Sequence, residues 1–414
     1  MKVHKHIARH TKRYAGHFTK YLFERDTIFA TLSVFVFLIL LGLIPINFYV
    51  LNPMKLALKD FDFNDIAYAK LDKKAKTFEN RIVIVNIGHA DREAIAYVIE
   101  KVSSMQPKVM GLDAFFEGER DPAKDSILRS VFQKTKNLVV VSRQVYEKKK
   151  DNINIIPDHF DSAYSLRGFG NFAAEEIGTV RYYAPFETVN HQKYPHFTSA
   201  IVKEYDSNAY HKLEKRHKPY ESINYARRVN QYMVKDLESV MMDQVDTGFF
   251  KNKIVLFGYV NADPNDIEDK KFTPMNVKFA GKAIPDMNGV VVQANIISMI
   301  LDGNYVKKMP KWFAWVVAIL VGWLHMSLFI RYYLENHIWF HLVAKLAQVF
   351  SAIFFAYLGI FIYDQFHVKL DMKYTLYVIV LAVDVIYFYE AFAVWLHKKT
   401  GFKTLFHQHD HAHH

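Results

Sequence analysis

Four long apolar segments stand out along the chain, one near its start and three near its end. The first covers residues 27–51 and contains no charged residue. Three more follow at about residues 312–331, 339–363 and 374–396, with short connections between them. A helix of about 20 residues crosses the roughly 30 Å hydrocarbon core of a bilayer. The pattern therefore predicts four transmembrane helices, the last three as a tight antiparallel set.

The intervening residues 52–308 show a different pattern, in which short β-branched runs alternate with helical periodicity. The runs predicted as buried strands cover residues 81–87, 108–113, 137–141 and 253–258. Helices are predicted at residues 91–105, 125–135 and 289–301, and a surface loop at residues 146–160. Because this alternation is typical of βαβ units, we predict an α/β domain with a largely parallel or mixed central sheet.

Basic residues flank the apolar segments and predict the orientation of the chain. Residues 1–26 carry seven Lys and Arg against two acids, and Lys398, Lys399 and Lys403 follow the last segment. Positive charge beside a span marks its cytoplasmic end and favours contact with anionic lipid. We therefore predict a basic amphipathic segment on the membrane, both termini in the cytoplasm, and residues 52–308 on the other side. The net charge of +11 is concentrated beside the spans, so no nucleic-acid partner is predicted.

The chain contains no cysteine, which excludes disulfides, thiolate metal sites and thiol nucleophiles. No Walker A or G-x-G-x-x-G sequence occurs, so no nucleotide cofactor is predicted. No set of residues has the spacing of a known catalytic motif. The sequence therefore predicts a protein that is not an enzyme and has no cofactor.

One stretch, RIVIVNIGHADREAIAYVIEKVSSMQPKVMGLDAFF, resembles the opening of the type-2 CHASE domain, an extracellular sensory domain of bacterial receptors. The family's I-V-I-V-D-I strand corresponds to Ile82–Ile87, and its G-x-D-[ILV]-x-F strand end corresponds to Gly111–Phe116. GTVRYYAPF, YPHFTSAIVKEY, ESINYARR and KNKIVLFGYV are similar to later segments of the family. The layout of one helix before the domain and three after it also matches, over about residues 55–396. The resemblance implies a periplasmic or extracellular sensory domain anchored in a bacterial inner membrane.

The sequence departs from the family pattern at polar positions. Asn86 stands at the strand end where the family typically has Asp, and Gln293 and valines occupy the helix motif that usually carries Glu or His. No W-P-W-x-R segment follows Gly88, and the sequence runs only about eighteen residues past the last span, where members usually continue into a kinase or cyclase. These departures imply a different ligand or none, and a separate protein as effector.

Asn86, Asp113 and Asp263 lie at or just after the ends of predicted strands, and Gln293 occupies the polar position of the family helix. In open α/β sheets ligands bind at the carboxyl ends of the strands. We therefore take these four residues as candidate ligand-binding residues. The alternative is that the Asn and Asp side chains cap the helices that follow, as expected for Asp91.

Ionisable residues also fall inside the predicted spans. Counting inward from the cytoplasmic ends places His325, Lys345 and Glu390 about six residues, or roughly 9 Å, deep, with Asp384 deeper and level with Ser351. Charged groups in spans usually face the bundle interior and pair, so we predict a Lys345–Glu390 ion pair with His325 nearby. The alternative is that Lys345 extends to the interface and Glu390 faces headgroups or a partner subunit.

The predicted cytoplasmic tail, residues 397–414, is rich in histidine. His407, His409, His411 and His413 are candidate metal ligands, because alternating histidines bind Zn²⁺ or Ni²⁺ loosely. The alternative is a tail that binds no metal.

Three functions agree with these features. The first is a sensor whose outer domain binds a small molecule or envelope partner and relays its state through the membrane helices to a separate protein, or within a homo-oligomer. The second is a structural or scaffold subunit of an envelope assembly. The third is a membrane enzyme or ion-conducting unit that uses Asp384, Glu390 and His325. We favour the first over the second.

Overall fold

The structure is a computed structural model that describes residues 20–43, 68, 78–147, 152–173, 178–261, 263, 266–276, 284–335 and 337–409. The chain divides into an α/β unit, Met54–Val306, and a helical unit that combines Met1–Pro53 with Lys307–His414. Most of the predicted amphipathic segment, residues 1–19, and the end of the first predicted span, residues 44–51, lie outside the described residues.

The regular elements are numbered in chain order. The helices are α1 Arg25–Leu43, α2 Arg92–Ser104, α3 Pro122–Lys134, α4 Phe197–Tyr205, α5 Ser207–Glu214, α6 Leu237–Met241, α7 Gly289–Asp302, α8 Lys311–Glu335, α9 His337–Phe366 and α10 Lys373–Thr400. The first eight strands are β1 Glu79–Asn86, β2 Val109–Leu112, β3 Leu138–Glu147, β4 Asn152–Ile156, β5 Leu166–Phe169, β6 Tyr182–Tyr183, β7 Phe186–Val189 and β8 Gln192–Pro195. The others are β9 Glu221–Ser222, β10 Tyr232–Asp236, β11 Ile254–Gly258, β12 Lys270–Lys271, β13 Met287–Asn288, β14 Lys307–Lys308 and β15 Val368–Lys369.

A seven-stranded mixed sheet forms the centre of the α/β unit. Its strand order is β10-β1-β11-β2-β3-β4, and β5 also pairs with β3. The pairs β10–β1, β1–β11, β11–β2, β2–β3 and β3–β5 are parallel, whereas β4 runs antiparallel to β3. The predicted α/β fold with a mixed sheet is therefore confirmed, and all four predicted strands are present.

Helices cover both faces of the sheet, so alternate strand residues enter two different cores. On one face, Val83 of β1 and Phe257 of β11 pack in a core with α2, α3 and α6. The opposite face carries α4 and α7. There Gly111 of β2 lets α4 approach closely, since an added Cβ would lie 2.5 Å from Ile201 and 2.9 Å from Phe197. The sheet is thus the buried middle layer of three.

Local sequence signals determine where the flanking helices begin and end. The Asp91 side chain accepts the backbone N–H of Ala94 and caps α2, as the alternative interpretation of such residues predicts. Asp121 caps α3, whose first residue, Pro122, has no N–H to satisfy. Helix α7 ends at Gly303, whose φ of 63° is left-handed and favours glycine.

The segment predicted as a surface loop, residues 146–160, contains a strand. Strand β3 extends to Glu147 and pairs with β4, with Tyr146 opposite Ile153 and Arg143 opposite Ile156. The loop prediction was therefore wrong for β4. The neighbouring lysines and the following proline suggested a loop, but alternation of Ile and Asn in the short run NINII also suits an edge strand.

The helical unit contains four helices that are long and apolar enough to cross a membrane, namely α1, α8, α9 and α10. Their lengths are 19, 25, 30 and 28 residues. Helix α8 packs against both α1 and α10, and α9 is the least covered of the four. These helices lie where the hydrophobic pattern predicts them.

A buried carboxylate joins the first helix of this unit to its last. Asp26, in the first turn of α1, is 2% exposed. Its Oδ1 accepts the hydroxyl of Tyr389 in α10 at 2.6 Å and that of Thr404 at 3.0 Å, and its Oδ2 accepts the N–H of Leu405 at 2.7 Å. Because its three donors come from the C-terminal part of the chain, Asp26 fixes α1 against it.

A second buried carboxylate organises the amino end of the central sheet. Glu79, at the start of β1, is 2% exposed and accepts three hydrogen bonds from Arg81 and one from Ser298 of α7. Arg227 lies 3.4 Å from Glu79, and Arg81 also pairs with Asp302 at 2.7 Å. Burial alone would raise the pKa of Glu79, but the hydrogen bonds from Arg81 and Ser298 lower it to about 2.

We predict that Glu79→Gln destabilises the α/β unit by about 3 kcal/mol at pH 7, because this is the linkage energy of such a pKa difference. The folded pKa of Glu79 is depressed, so its contribution is complete above the ordinary glutamate value of 4.5 and is lost as pH falls towards about 2. Amide hydrogen exchange of β1 and α7, corrected for the intrinsic pH dependence of exchange, measures this. Tryptophan fluorescence does not, since all five tryptophans lie outside the α/β unit.

The matched control is Glu100→Gln, which removes an exposed carboxylate from α2. At every pH between 7 and 3 it should leave the exchange rates of β1 and α7 equal to those of wild-type protein. If Glu79→Gln and wild-type protein lost stability in parallel as the pH falls, the ionised Glu79 would not be the organising group.

Candidate functional site

Strands β1 and β11 end side by side at the carboxyl edge of the sheet, and the chain leaves them on opposite faces. Asn86 is opposite Gly258 in the last position of their parallel register. From β1 the chain enters α2, which belongs to one core, and from β11 it leads to α7 on the other face. Diverging connections of this kind leave a crevice in which open α/β sheets bind ligands. The fold therefore places a candidate site at this point, which we call the β1/β11 crevice.

Asn86 holds three strand ends together at the crevice. Its Oδ1 accepts the N–H groups of Gly88, at 3.1 Å, and of Val260, at 2.9 Å. Its Nδ2 donates to Asp236 at the end of β10, at 3.2 Å. Gly88 has a φ of 49°, which the tight turn after β1 requires. Since protein groups occupy both atoms of the amide, Asn86 positions the loops of the crevice.

Asn288 contributes a buried donor beside this crevice. It lies directly before α7, is 5% exposed, and its Oδ1 accepts the N–H of Asn261 at 3.4 Å. Its Nδ2 has no hydrogen-bond partner among the described residues. Buried donors are almost always satisfied, and a helix N-terminus favours acceptor groups. The site therefore offers an amide donor to a hydroxyl or carbonyl oxygen of a ligand.

Sequence reasoning overlooked Asn288, although a signal for it existed. An Asn immediately before an apolar helical run is an N-cap pattern.

Two predicted ligand residues flank the crevice. The N–H of Asp113 donates to the carbonyl of Phe257 at 2.8 Å, so Asp113 follows β2 on the other side of β11 from Asn86. Asp263 is exposed, and its N–H donates to Asn261 at 3.2 Å. The structure thus brings Asn86, Asp113 and Asp263 to one edge of the sheet, and their role in binding stays a prediction.

Gln293 belongs to a different polar cluster, inside the unit. Its Nε2 donates to the carbonyl of Gly170 at 3.2 Å. The atoms Gln293 Oε1, Ser142 Oγ and His196 Nε2 are all buried without hydrogen-bond partners among the described residues. Burial lowers the pKa of His196 to about 3, so this histidine is neutral near pH 7. The polar position of the family helix therefore faces the end of β5 rather than Asn86.

The described residues contain no group of three or more His, Asp or Glu side chains that could hold a metal ion. In the tail, the ring of His407 lies against that of His397, with centroids 4.0 Å apart. The side chain of His409 and all of His411 and His413 lie outside the described part of the chain. The tail metal site stays a prediction.

In the apolar helices, the structure pairs the predicted polar residues differently. Glu390 accepts the hydroxyl of Tyr333 at 2.5 Å. His325 contacts Ser351 through Nε2 at 3.0 Å and the carbonyl of Val321 through Nδ1 at 2.9 Å. Lys345 is exposed and makes no ion pair with Glu390 within the described residues. The predicted Lys345–Glu390 pair is therefore wrong.

The error arises from the helix register. The Nε2 of Gln348 in α9 donates to the carbonyls of Ile379 and Val380 in α10, and the ring of His341 stacks on that of Tyr387. The residues of α9 that lie between these two contacts must therefore be at the same depth as the residues of α10 that lie between them. Lys345 is therefore level with Val383 and Asp384 rather than with Glu390.

Asp384 is exposed, and the predicted group of ionisable residues does not converge on one site. Glu390 contacts α8 near its end, and His325 contacts Ser351 nearer the middle of α9. Asp384 lies on the outer surface of α10. Among the described residues, Asp384, Glu390 and His325 therefore do not form one cluster.

Comparison with known proteins supports the resemblance seen in the sequence. The family model of the CHASE2 domain matches residues 30–330, which is more than half of the 414 residues. The match begins in α1, spans the α/β unit and ends in α8. No curated protein and no solved structure matches the chain significantly.

We predict that Asn86→Asp destabilises the crevice by about 1 kcal/mol, because it places a carboxylate beside Asp236. Asp236→Asn in the same chain restores a carboxylate–amide pair with the partners exchanged. Thermal unfolding and the exchange protection of the Gly88 and Val260 amides measure both effects. The double variant should recover most of the lost stability, with Asp236→Asn alone as control. Simple additivity of the two single effects would contradict the contact.

Proposed function

The chain belongs to the CHASE2 domain family, and from that premise we propose that it is a membrane-anchored sensor. In this proposal the α/β unit lies outside the cytoplasm and binds a small polar molecule or an envelope partner. The four apolar helices cross a bacterial inner membrane, both termini are cytoplasmic, and the bound state is relayed through the helices to a separate protein. The domain acts by binding, and we propose no catalytic step.

The lengths and surfaces of the apolar helices support membrane insertion. Each of the helices α8, α9 and α10 exceeds the roughly 20 residues that a hydrocarbon core requires. Trp312, Trp339 and Trp395 are exposed near helix ends, as interfacial aromatic residues are. The last turn of α10 carries Lys398 and Lys399, which favours a cytoplasmic end there.

The observation that carries the sensory proposal is the β1/β11 crevice with a buried amide donor that has no partner among the residues the structure describes. Ligands of open α/β sheets bind where connections diverge, and the Nδ2 of Asn288 lies buried at that point without a hydrogen-bond partner among the described residues. The carboxyl groups of Asp236 and Asp269 lie nearby, since Asp236 contacts Asn86 and Asp269 accepts the N–H of Gly289. Lys271 lies 3.6 Å from Asp269 and offsets its charge, whereas the carboxylate of Asp236 contacts only the neutral amide of Asn86 among the contacts described above. A neutral, hydroxyl- or carbonyl-bearing molecule therefore fits better than an anion.

Helix α7 supplies a rigid route away from the crevice. It begins at Gly289, is buried as far as Ile300, and ends at Asp302, about 21 Å along the helix. The chain then reaches α8 at Lys311 after only eight residues. A shift at the N-terminus of α7 would therefore displace the segment that enters the helical unit.

A scaffold subunit of an envelope assembly is the second candidate function. It is favoured by the fact that protein groups occupy both amide atoms of Asn86, where the family typically carries an Asp. In this case the α/β unit would present a binding surface and the crevice would have only a structural role.

We predict that at least one member of a panel of neutral sugars, polyols and amino acids raises the melting temperature of the purified full-length protein. Asn288→Ser should abolish this shift, because serine removes the amide donor and its short hydroxyl does not reach the same position. The side chain of Asn288 makes no capping hydrogen bond to α7, so no helix cap is lost in this variant. At saturating ligand the wild-type gain is about 3 kcal/mol when the concentration is one hundred times Kd.

The matched control is Asn208→Ser, which changes an exposed asparagine in α5 and should retain the shift. A shift that persists in Asn288→Ser would contradict the crevice as the site. If the panel has no effect and affinity purification from native membranes recovers an envelope assembly in place of a signalling enzyme, the scaffold function replaces the sensor.

A further inference from the structure

Two oppositely charged side chains on the surface of the helical unit have no partner in the described part of the chain. Lys345 of α9 and Asp384 of α10 are both exposed, and neither makes a hydrogen bond or ion pair with another described residue. By contrast, the buried or half-buried side chains of Asp26, His325, Gln348 and Glu390 each form a hydrogen bond within the unit. The two exposed charges therefore stand apart from the polar groups of the interior.

The two charges lie at the same level along the seam between α9 and α10. On α9, Lys345 falls between His341 and Gln348, which contact α10. On α10, Asp384 falls between Val380 and Tyr387, which receive those contacts. Residues at i, i+4 and i+7 share one helix face, so each charge lies along the seam near its exposed edge.

The position of Asp384 makes its exposure costly in a membrane. It lies about 17 Å from the start of α10 and about 24 Å from its end, at 1.5 Å per residue. The long side chain of a lysine can extend towards an interface, whereas the short side chain of an aspartate cannot. Charges at such depth usually pair within a protein assembly.

We infer that a second copy of this chain covers the α9–α10 seam, so that Lys345 of each copy pairs with Asp384 of the other. A two-fold axis along the membrane normal leaves the depth of every residue unchanged. Because Lys345 and Asp384 lie at the same depth, one such rotation brings Lys345 of each copy beside Asp384 of the other copy. The surface is therefore complementary to itself, as an isologous dimer interface must be.

The surroundings of the charges suit a helical partner. Leu342, Leu346 and Val349 flank Lys345, and Val380 and Phe388 flank Asp384, all with large exposed areas. Of the four long apolar helices, α9 also has the smallest share of its most apolar 18-residue window buried in the single chain, 11%. A second copy would bury this apolar surface around the two ion pairs.

The inference rests on the proposed membrane insertion but not on ligand binding at the crevice. Resistance of the wild-type protein to alkaline carbonate extraction is therefore measured first. Release of the protein by carbonate would overturn membrane insertion, and the dimer with it.

The decisive test uses two charge reversals that complement each other only between chains. Lys345→Asp leaves two acids at the seam, and Asp384→Lys leaves two bases. Differently tagged copies are reconstituted at high dilution in lipid, and co-purification and photobleaching steps report the stoichiometry. For each variant alone, the dimer fraction should fall about tenfold or more below that of wild-type protein. The equimolar mixture of the two variants should restore the wild-type dimer fraction, in the form of heterodimers.

The mixture separates a contact between copies from one within a chain. An ion pair confined to one chain is broken in both variants, so mixing would restore nothing and would overturn the inference. Monomeric wild-type protein would overturn it directly, whether or not the variants fold. Lys398→Asp, at the end of α10, is the matched charge-reversal control and should leave the dimer intact.

Discussion

The carboxylate of Asp26 is the contact on which the helical unit depends, because it joins segments separated by the whole α/β unit in sequence. Its two oxygens accept donors from Tyr389, Thr404 and Leu405, and water has little access to a side chain that is 2% exposed. Removing these donors would leave a buried charge unpaired, which is among the costliest defects in a protein interior. The helices before and after the α/β unit therefore form one body, and both ends of the α/β unit are attached to it.

That attachment gives the β1/β11 crevice a physical connection to the helices. Asn86 links the ends of β10, β1 and β11, and Asn288 starts the buried helix α7 at the same edge. At the other end of α7, Asp302 and Ser298 belong to the ionic network of Glu79. A ligand that changes the packing of Asn288 would therefore act on a helix whose other end is linked to β1 through the Glu79 network.

The strands of the sheet centre were predictable, because β1, β2, β3 and β11 are β-branched runs buried on both faces. The strand β10, Tyr232–Asp236, was missed because the run YMVKD mixes charge with apolar residues, and only its pairing with β1 makes it a strand. Asn86 was identified from its position at a strand end, whereas its partner Asp236 depended on the missed strand. Depths within the apolar helices were misjudged because counting from helix ends assumes a common register, which the contact of Gln348 with α10 shows to be absent. Asp26 gave no sequence signal, since its donors lie more than 350 residues away.

The central claim is that the α/β unit and the end of α10 lie on opposite sides of a membrane. The absence of cysteine allows a direct test, because an introduced cysteine is the only thiol in the chain. Ser104→Cys exposes a thiol on α2, and Thr400→Cys exposes one at the end of α10. A maleimide that cannot cross the plasma membrane should label Ser104→Cys in intact cells and Thr400→Cys only after permeabilisation. Labelling of Thr400→Cys in intact cells with Ser104→Cys protected would contradict the account.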